Sequence, residues 1–300
     1  MDINQADTKT SMQLVTLYVG QGSLSAVRAG NEVIIVDAHM PDIENHITTA
    51  EIEATLDVFI GQRAVKGLIL TGLDRDHACP TGVESILTRY EPDWVMYPKY
   101  YKDTEAATDV FATIAREVTR REKTQRPLVR HSVHVNNVDS RYLDGLAANF
   151  TFELFSPHMD DMDNSNNSSI VLKLVGTDAT GFSYLITGDT ETERWDNINK
   201  YFAKYLASDV MAASHHGSRN GVNAKTLLSV NPNTVLISAG VENSYGHPDS
   251  VAVNAYQRVA KHVYATNSVD SGTCLFTRRA GQDFETVLVA HSENASPATA

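Results

Sequence analysis

The stretch GLILTGLDRDHACPTG, residues 67–82, decides the fold. Its opening GLILT is almost wholly apolar, as expected of a short strand buried on both faces of its sheet. Pro80 fits the first turn of a following helix, where its missing N–H is not needed. Between strand and helix, a short polar loop carries Asp74, Asp76 and His77 within four residues. Open α/β sheets place their sites at the carboxyl ends of such strands.

The flanking segments extend this unit in both directions. Upstream, residues 14–19 (LVTLYV) and 24–28 flank Gly20-Gln21-Gly22 and read as a hairpin; 32–37 (EVIIVD) is a third, buried strand. Residues 42–61 read as a helix with Ile43, Ile47, Ile52 and Leu56 on one face. Downstream come a helix at 80–90, a strand at 93–97 and a long amphipathic helix at 104–123 that Thr104 can cap. Residues 124–149 read as short strands and turns. Strands follow at 150–156, 170–175 and 182–187, with the polar loop 158–169 between the first two. Then come a helix at 191–206 and a strand at 209–213, a helix at 223–230 and a strand at 234–239, and a helix at 250–261 and a strand at 262–266. The strand pair 273–278 and 284–290 closes the chain. Strands followed by strand–helix units, twice over, point to sheets packed between helices in a single α/β domain over 13–290. The polar ends, 1–12 and 291–300, are expected to be flexible tails.

Composition narrows the function. The 300 residues are 42% hydrophobic and 21% charged, with a formal charge of −12, which argues against a simple basic nucleic-acid or membrane coat. The two cysteines, Cys79 and Cys274, form no CxxC pair, so a thiolate zinc ribbon is excluded. Neither is directly flanked by a histidine, and Cys79 reads as a small filler residue beside the 74–77 loop. The first residues, MDINQADTKTSMQ, lack the basic and apolar regions of a signal peptide, and no run is long enough to insert in a membrane. A cytoplasmic protein is expected; its oligomeric state is left open.

Chemistry gathers at the strand ends. Beside the 74–77 loop stand Asp189 in YLITGDT, His215 and His216 in SHHGS, and His247 in SYGHPDS, each following a strand. Singly, each is an ordinary polar turn. Together, imidazoles and carboxylates at successive strand ends suit a divalent cation such as zinc, manganese or iron, with no soft thiolate on offer. His158 and Asn167, in the polar loop, are further candidates to line the site. Ser218 and Arg219 are placed to contact a phosphate.

In chain order, VIIVDAHM ending its strand at Asp37, then TGLDRDH, NSSIVLKL, YLITGDT, SHHGS and YGHP resembles the metallo-β-lactamase superfamily. The pattern is most similar to the hydrolase domain of the ComEC/Rec2 DNA-uptake proteins. That domain carries Thr-His-x-Asp-x-Asp-His, Thr-Gly-Asp, His-His-Gly-Ser and Tyr-Gly-His-Pro motifs. The resemblance covers residues 14–276 and implies a metallo-β-lactamase-like αββα four-layer sandwich. It implies Asp37 as a supporting acid and Asp76, His77 and Asp189 as metal ligands, with Asp74, His215 and His247 completing the metal set. It implies Asp74, Asp76, His216 and His247 as the catalytic groups. Gly72, however, stands where the family has its first histidine, Asp74 where many members have the second, and NSNNSS offers none. The first metal position has therefore lost its imidazoles. The expectation is one well-held ion, or two with an oxygen-rich first site, drawn from zinc, manganese or magnesium. The activity implied is hydrolysis by a metal-bound hydroxide, foremost of phosphodiesters, as a nuclease. Alternatives are thioester or lactone hydrolysis, and a catalytically silent scaffold that has lost metal ligands. The partners expected are a nucleic acid substrate and a protein partner encoded nearby, with no membrane insertion.

Overall fold

The computed structural model describes residues 12–41, 43–44, 47–100, 102–135, 143–158 and 164–291. Of the tails expected at 1–12 and 291–300, all but Met12 and His291 lie outside these, as do residues 136–142 and 159–163 of the ambiguous and polar segments; Met12 is buried in the core and His291 Nε2 lies 2.9 Å from the Tyr18 carbonyl oxygen, so these two are not loose. In chain order the strands are β1 (Gln13–Thr16), β2 (Ser25–Ala29), β3 (Glu32–Val36), the two-residue β4 (Ile43–Glu44) and β5 (Ile47–Thr48), β6 (Ala64–Ile69), β7 (Trp94–Pro98) and β8 (Val129–Val133). Then come β9 (Phe150–Ser156), β10 (Val171–Gly176), β11 (Ser183–Ile186), β12 (Val210–Ala212), β13 (Thr234–Ile237), β14 (His262–Ala265), β15 (Cys274–Ala280) and β16 (Asp283–Val289).

Two mixed sheets result. One runs β16-β15-β1-β2-β3-β6-β7-β8, the other β14-β13-β12-β11-β10-β9, and β4 pairs only with β5. The alternation of side chains along the strands explains the layers. In β3, Ile34 and Val36 join the core between the sheets, whereas Val33 and Ile35 face the helices α1 (Thr49–Ile60), α2 (Pro80–Arg89) and α3 (Glu105–Arg121). In β11, Tyr184 and Ile186 enter that same central core. Leu185 faces outward, into the core beneath α4 (Thr192–Phe202), α5 (Ala224–Val230) and α6 (Ser250–Gln257). Strands apolar on both faces demand helices outside both sheets, and the four-layer αββα sandwich follows. Burying each large aliphatic side chain contributes about 1.5–3 kcal/mol.

The helix expected at 42–61 starts only at Thr49. Thr48 and Glu51 form a capping box: the Thr48 hydroxyl accepts the Glu51 N–H, and the Glu51 carboxylate accepts the Thr48 N–H. The β4–β5 hairpin takes the preceding residues. Thr104 caps α3 as expected, accepting the N–H of Ala107.

Both sheets end at the same place. The N–H of Asp37, just past β3, donates to the Ile69 carbonyl at the end of β6 (2.7 Å), and the N–H of Ile170 donates to that of Thr71 (2.7 Å), joining the two sheets. Helix α2 packs close to this end because residue 82 is glycine: a Cβ there would lie 2.0 Å from the Ala38 carbonyl oxygen.

Candidate metal centre

At the common end of the sheets, Asp76, His77, Asp189 and His216 each offer a ligand atom, and all these atoms lie within 4.8 Å of one another. Asp76 and His77 come from the loop after β6 in one sheet. Asp189 follows β11 and His216 follows β12 in the other. The cluster therefore sits across the seam between the sheets.

Backbone geometry aims these side chains. The turn 74–78 closes when the Asp74 carbonyl accepts the N–H groups of His77 (2.9 Å) and Ala78 (2.8 Å). Gly188 turns β11 toward the site at φ +49°, where a Cβ would lie 2.8 Å from that of Ser169. His215 and His216 both adopt left-handed backbone, φ 50° and 53°. Such conformations cost about 1–2 kcal/mol per non-glycine residue and concentrate at functional sites.

Hydrogen bonds fix the imidazole tautomers. His77 Nδ1 lies 2.8 Å from Asp37 Oδ2, and Asp37 is itself held by the N–H (2.7 Å) and hydroxyl (2.8 Å) of Thr71. His216 Nδ1 donates to the Ser238 carbonyl (3.0 Å). With each Nδ1 carrying the proton, each Nε2 presents a lone pair. These are the second-shell contacts that orient imidazole ligands on metals.

The Nε2 atoms point into the cluster. His77 Nε2 lies 2.8 Å from Asp189 Oδ1, and His216 Nε2 lies 3.6 Å from it and 3.4 Å from Asp76 Oδ2. Beyond one another, the buried His77 Nε2, His216 Nε2 and Asp189 Oδ1 have no hydrogen-bond partner. Buried polar atoms are normally satisfied, so orphaned lone pairs converging on one point fit a cation. Charge agrees: two carboxylates with two neutral imidazoles carry −2, which a divalent ion balances. His77, Asp189 and His216 are buried, while the Asp76 side chain is 33% exposed, leaving the cluster open on one face. The donor set, two imidazole nitrogens and two carboxylates, suits a first-row divalent metal.

In the metal-free protein the cluster shifts its own ionisation. Burial disfavours charge on His77, but the Asp189 and Asp37 carboxylates outweigh it and raise the imidazole well above its ordinary value. Burial likewise opposes charge on His216, and Asp189 and Asp76 raise its pKa. Burial opposes charge on Asp76 and Asp189 too, but the neighbouring imidazoles lower both.

The remaining sequence candidates lie around this group. Asp74 is not among the four; its carboxylate is paired with Lys102. His215 stands at the rim, Nε2 3.8 Å from Asp189 Oδ2 and Nδ1 3.4 Å from Glu191 Oε1. His247 is half-buried, its ring 5.8 Å from that of His215 and stacked on Tyr245, also at 5.8 Å. Asn167 ties the loops together, its Oδ1 accepting the Glu191 N–H (3.1 Å), and the nearby Ser168 hydroxyl donates to the Asn164 carbonyl. Ser218 caps a turn, accepting the Asn220 N–H, and Arg219 is paired with Asp249. His158 packs on Phe202. Cys79 is buried at the start of α2.

Sequence reading did not single out Lys102, Glu191, Tyr245 or the Ser238 carbonyl. A carbonyl leaves no trace in sequence, and Lys102 is 25 residues from His77 along the chain. For the adjacent histidines, only the left-handed turn decides that His216 enters the group and His215 the rim.

Two sheets with outer helices, and a buried acid–imidazole cluster at their common end, define a metallo-β-lactamase-like domain. The chain is 27% identical over 218 residues to ComE operon protein 3 of Bacillus subtilis, covering 72% of this chain and 25% of that protein. It is 32% identical over 111 residues to competence protein ComA of Neisseria gonorrhoeae, covering 37% of this chain and 15% of that protein. It thus spans a quarter or less of the length of these curated relatives. The similarity to these two relatives supports a metallo-β-lactamase-like, ComEC-type domain. Igni18, a solved metallo hydrolase of Ignicoccus hospitalis, aligns over 89% of this chain and 100% of its own, at TM-score 0.48 and 14% identity. No protein-family model matches the chain. Among the described residues, no helix is long and apolar enough to cross a membrane.

Proposed function

We propose that this chain is a divalent-metal-dependent hydrolase that cleaves phosphodiester bonds in nucleic acid. The observation that carries the reading is the convergence of His77 Nε2, His216 Nε2 and Asp189 Oδ1, buried and with no partner outside the cluster, beside the partly open Asp76. A divalent cation bound there supplies Lewis acidity and makes water a stronger acid near neutral pH. The chain's residues do the rest. Asp37 and the Ser238 carbonyl hold the two imidazoles in the tautomer that keeps Nε2 free. Asp76, on the open face, orients the attacking water. His215 and His247 line the rim and are placed to hand a proton to the leaving oxygen. Tyr245, 72% exposed and stacked on His247, offers an aromatic face on which a base beside the cleaved bond can stack. One relative is named a competence protein, in keeping with a nucleic acid substrate. The formal charge of −12 favours a short or single-stranded substrate gripped locally over a duplex held by broad phosphate neutralisation.

The test is cleavage of labelled DNA and RNA, and of bis-p-nitrophenyl phosphate, with manganese, magnesium or zinc. Wild type should cleave, and Asp76→Ala, His77→Ala and His216→Ala should not. An inactive wild type, activity confined to thioesters or lactones, or equal activity in the variants would contradict the reading.

A further inference from the structure

Lys102 lies beside the metal cluster, and its environment is not that of an ordinary surface lysine. The ammonium is paired with the Asp74 carboxylate and donates to the Ser165 hydroxyl (3.2 Å); the Lys102 side chain is 19% exposed. Each partner belongs to a turn that builds the site. The carbonyl of Asp74 closes the turn that presents Asp76 and His77. Ser165 opens the turn that leads to Ser169, whose hydroxyl accepts the N–H of Asp189 (3.1 Å). Two residues before Lys102, the buried Tyr100 braces the same loop: its hydroxyl oxygen accepts the Leu73 N–H (2.9 Å). The charges of Asp74, His77 and Asp189 all act on that phenol, which lies near the cluster.

On the same loop, residue 72 leaves room. A Cβ on Gly72 would meet nothing closer than the His77 ring, at 3.8 Å. The third ammonium hydrogen of Lys102 has no partner among the described residues. Arg219 is paired with Asp249, and Arg194 donates to the Asn167 carbonyl. As a stabilising device the pair is weak, because partly exposed ion pairs contribute only about 0–1 kcal/mol.

Phosphoryl transfer gathers negative charge on the nonbridging oxygens, and positive groups placed there lower the barrier. The four-residue cluster provides for one cation. We propose that the Lys102 ammonium supplies the second positive charge of this site, binding a nonbridging oxygen of the phosphodiester, with Asp74 and Ser165 as its seat. This rests on the hydrolase reading above. It assigns Asp74 to the lysine and not to the metal.

The experiment compares wild type with Lys102→Met, Lys102→Arg and Asp74→Asn. Bound metal per chain, melting temperature, steady-state hydrolysis of bis-p-nitrophenyl phosphate and binding of inorganic phosphate to the metal-loaded protein are measured. Metal content should be the same in all four proteins. Lys102→Met should lose on the order of 100-fold in kcat/KM, the scale for removing one charge-stabilising donor, and should bind phosphate at least about tenfold more weakly, one lost charge-assisted contact. Lys102→Arg should recover part of both. Lys102→Met within about twofold of wild type in both readouts, well short of that scale, would overturn the proposal, as would loss of metal in Asp74→Asn. If wild type cleaves no phosphodiester, the hydrolase reading fails, and phosphate binding alone still decides for or against Lys102.

Discussion

His77 shows how much of the site depends on a single proton. Its Nδ1 faces the Asp37 carboxylate at 2.8 Å, which leaves Nε2 free for a metal. Asp37→Asn removes the charge behind that imidazole and should weaken metal binding about 10–100-fold, as outer-shell changes at metal histidines do. Competition with a chelator dye checks it, and unchanged affinity would contradict the role. The pH behaviour of the metal-free protein follows from the same residues. His77 and His216 are raised above 6.5, so the stability they contribute is complete below that value and is lost as pH rises through their folded values. Asp76 and Asp189 are lowered from 3.8, so their contribution is complete above that value and is lost as pH falls through their folded values. Chelated protein should therefore melt highest on the acid side of neutrality, and the gain on adding metal should grow toward alkaline pH. Melting curves over pH with and without metal would show it; a metal gain that shrinks as pH rises would count against the assignment. At this scale the sequence disclosed residue types and their order. It could not disclose that Asp74 turns to Lys102, because that pairing joins segments 28 residues apart.

At the scale of elements, strands and helices were legible where side-chain periodicity was strong. The buried strand at 67–71 and the Thr104-capped helix both stand in the structure with small shifts of boundary. The start of α1 was misplaced although its signal was present: Thr48-Thr49-Ala50-Glu51 has the spacing of a capping box. The apolar Ile43 and Ile47 matched a helical face and masked that signal. Helix α2 carries a sharper constraint. Because a Cβ at residue 82 would strike the Ala38 carbonyl, Gly82→Ala must move α2 or the strand end that bears Asp37. It should cost about 1–3 kcal/mol, the usual range for overpacking. Chemical denaturation measures this, and a variant as stable as wild type would show that α2 is not held there.

Over the whole molecule, the site exists because two sheets share one end. Each sheet contributes one imidazole and one carboxylate to the cluster, so an ion bound there ties the two halves of the sandwich together. A ligand that binds only the native state stabilises it, by about 2.7 kcal/mol at a hundred times its Kd. The sandwich itself could be anticipated from strands apolar on both faces. The meeting of their ends could not, since it depends on contacts such as Ile170 to Thr71 across the sheets. The −12 charge also reads differently at this scale, because two of the acids, Asp76 and Asp189, face the proposed cation and are not bare surface charge. The most direct measurement is anomalous scattering from crystals of metal-loaded protein, collected at the edge of the bound metal. The account predicts a peak enclosed by Asp76, His77, Asp189 and His216, with no peak at Asp74; no peak within that cluster, or the metal seated on Asp74, would contradict it.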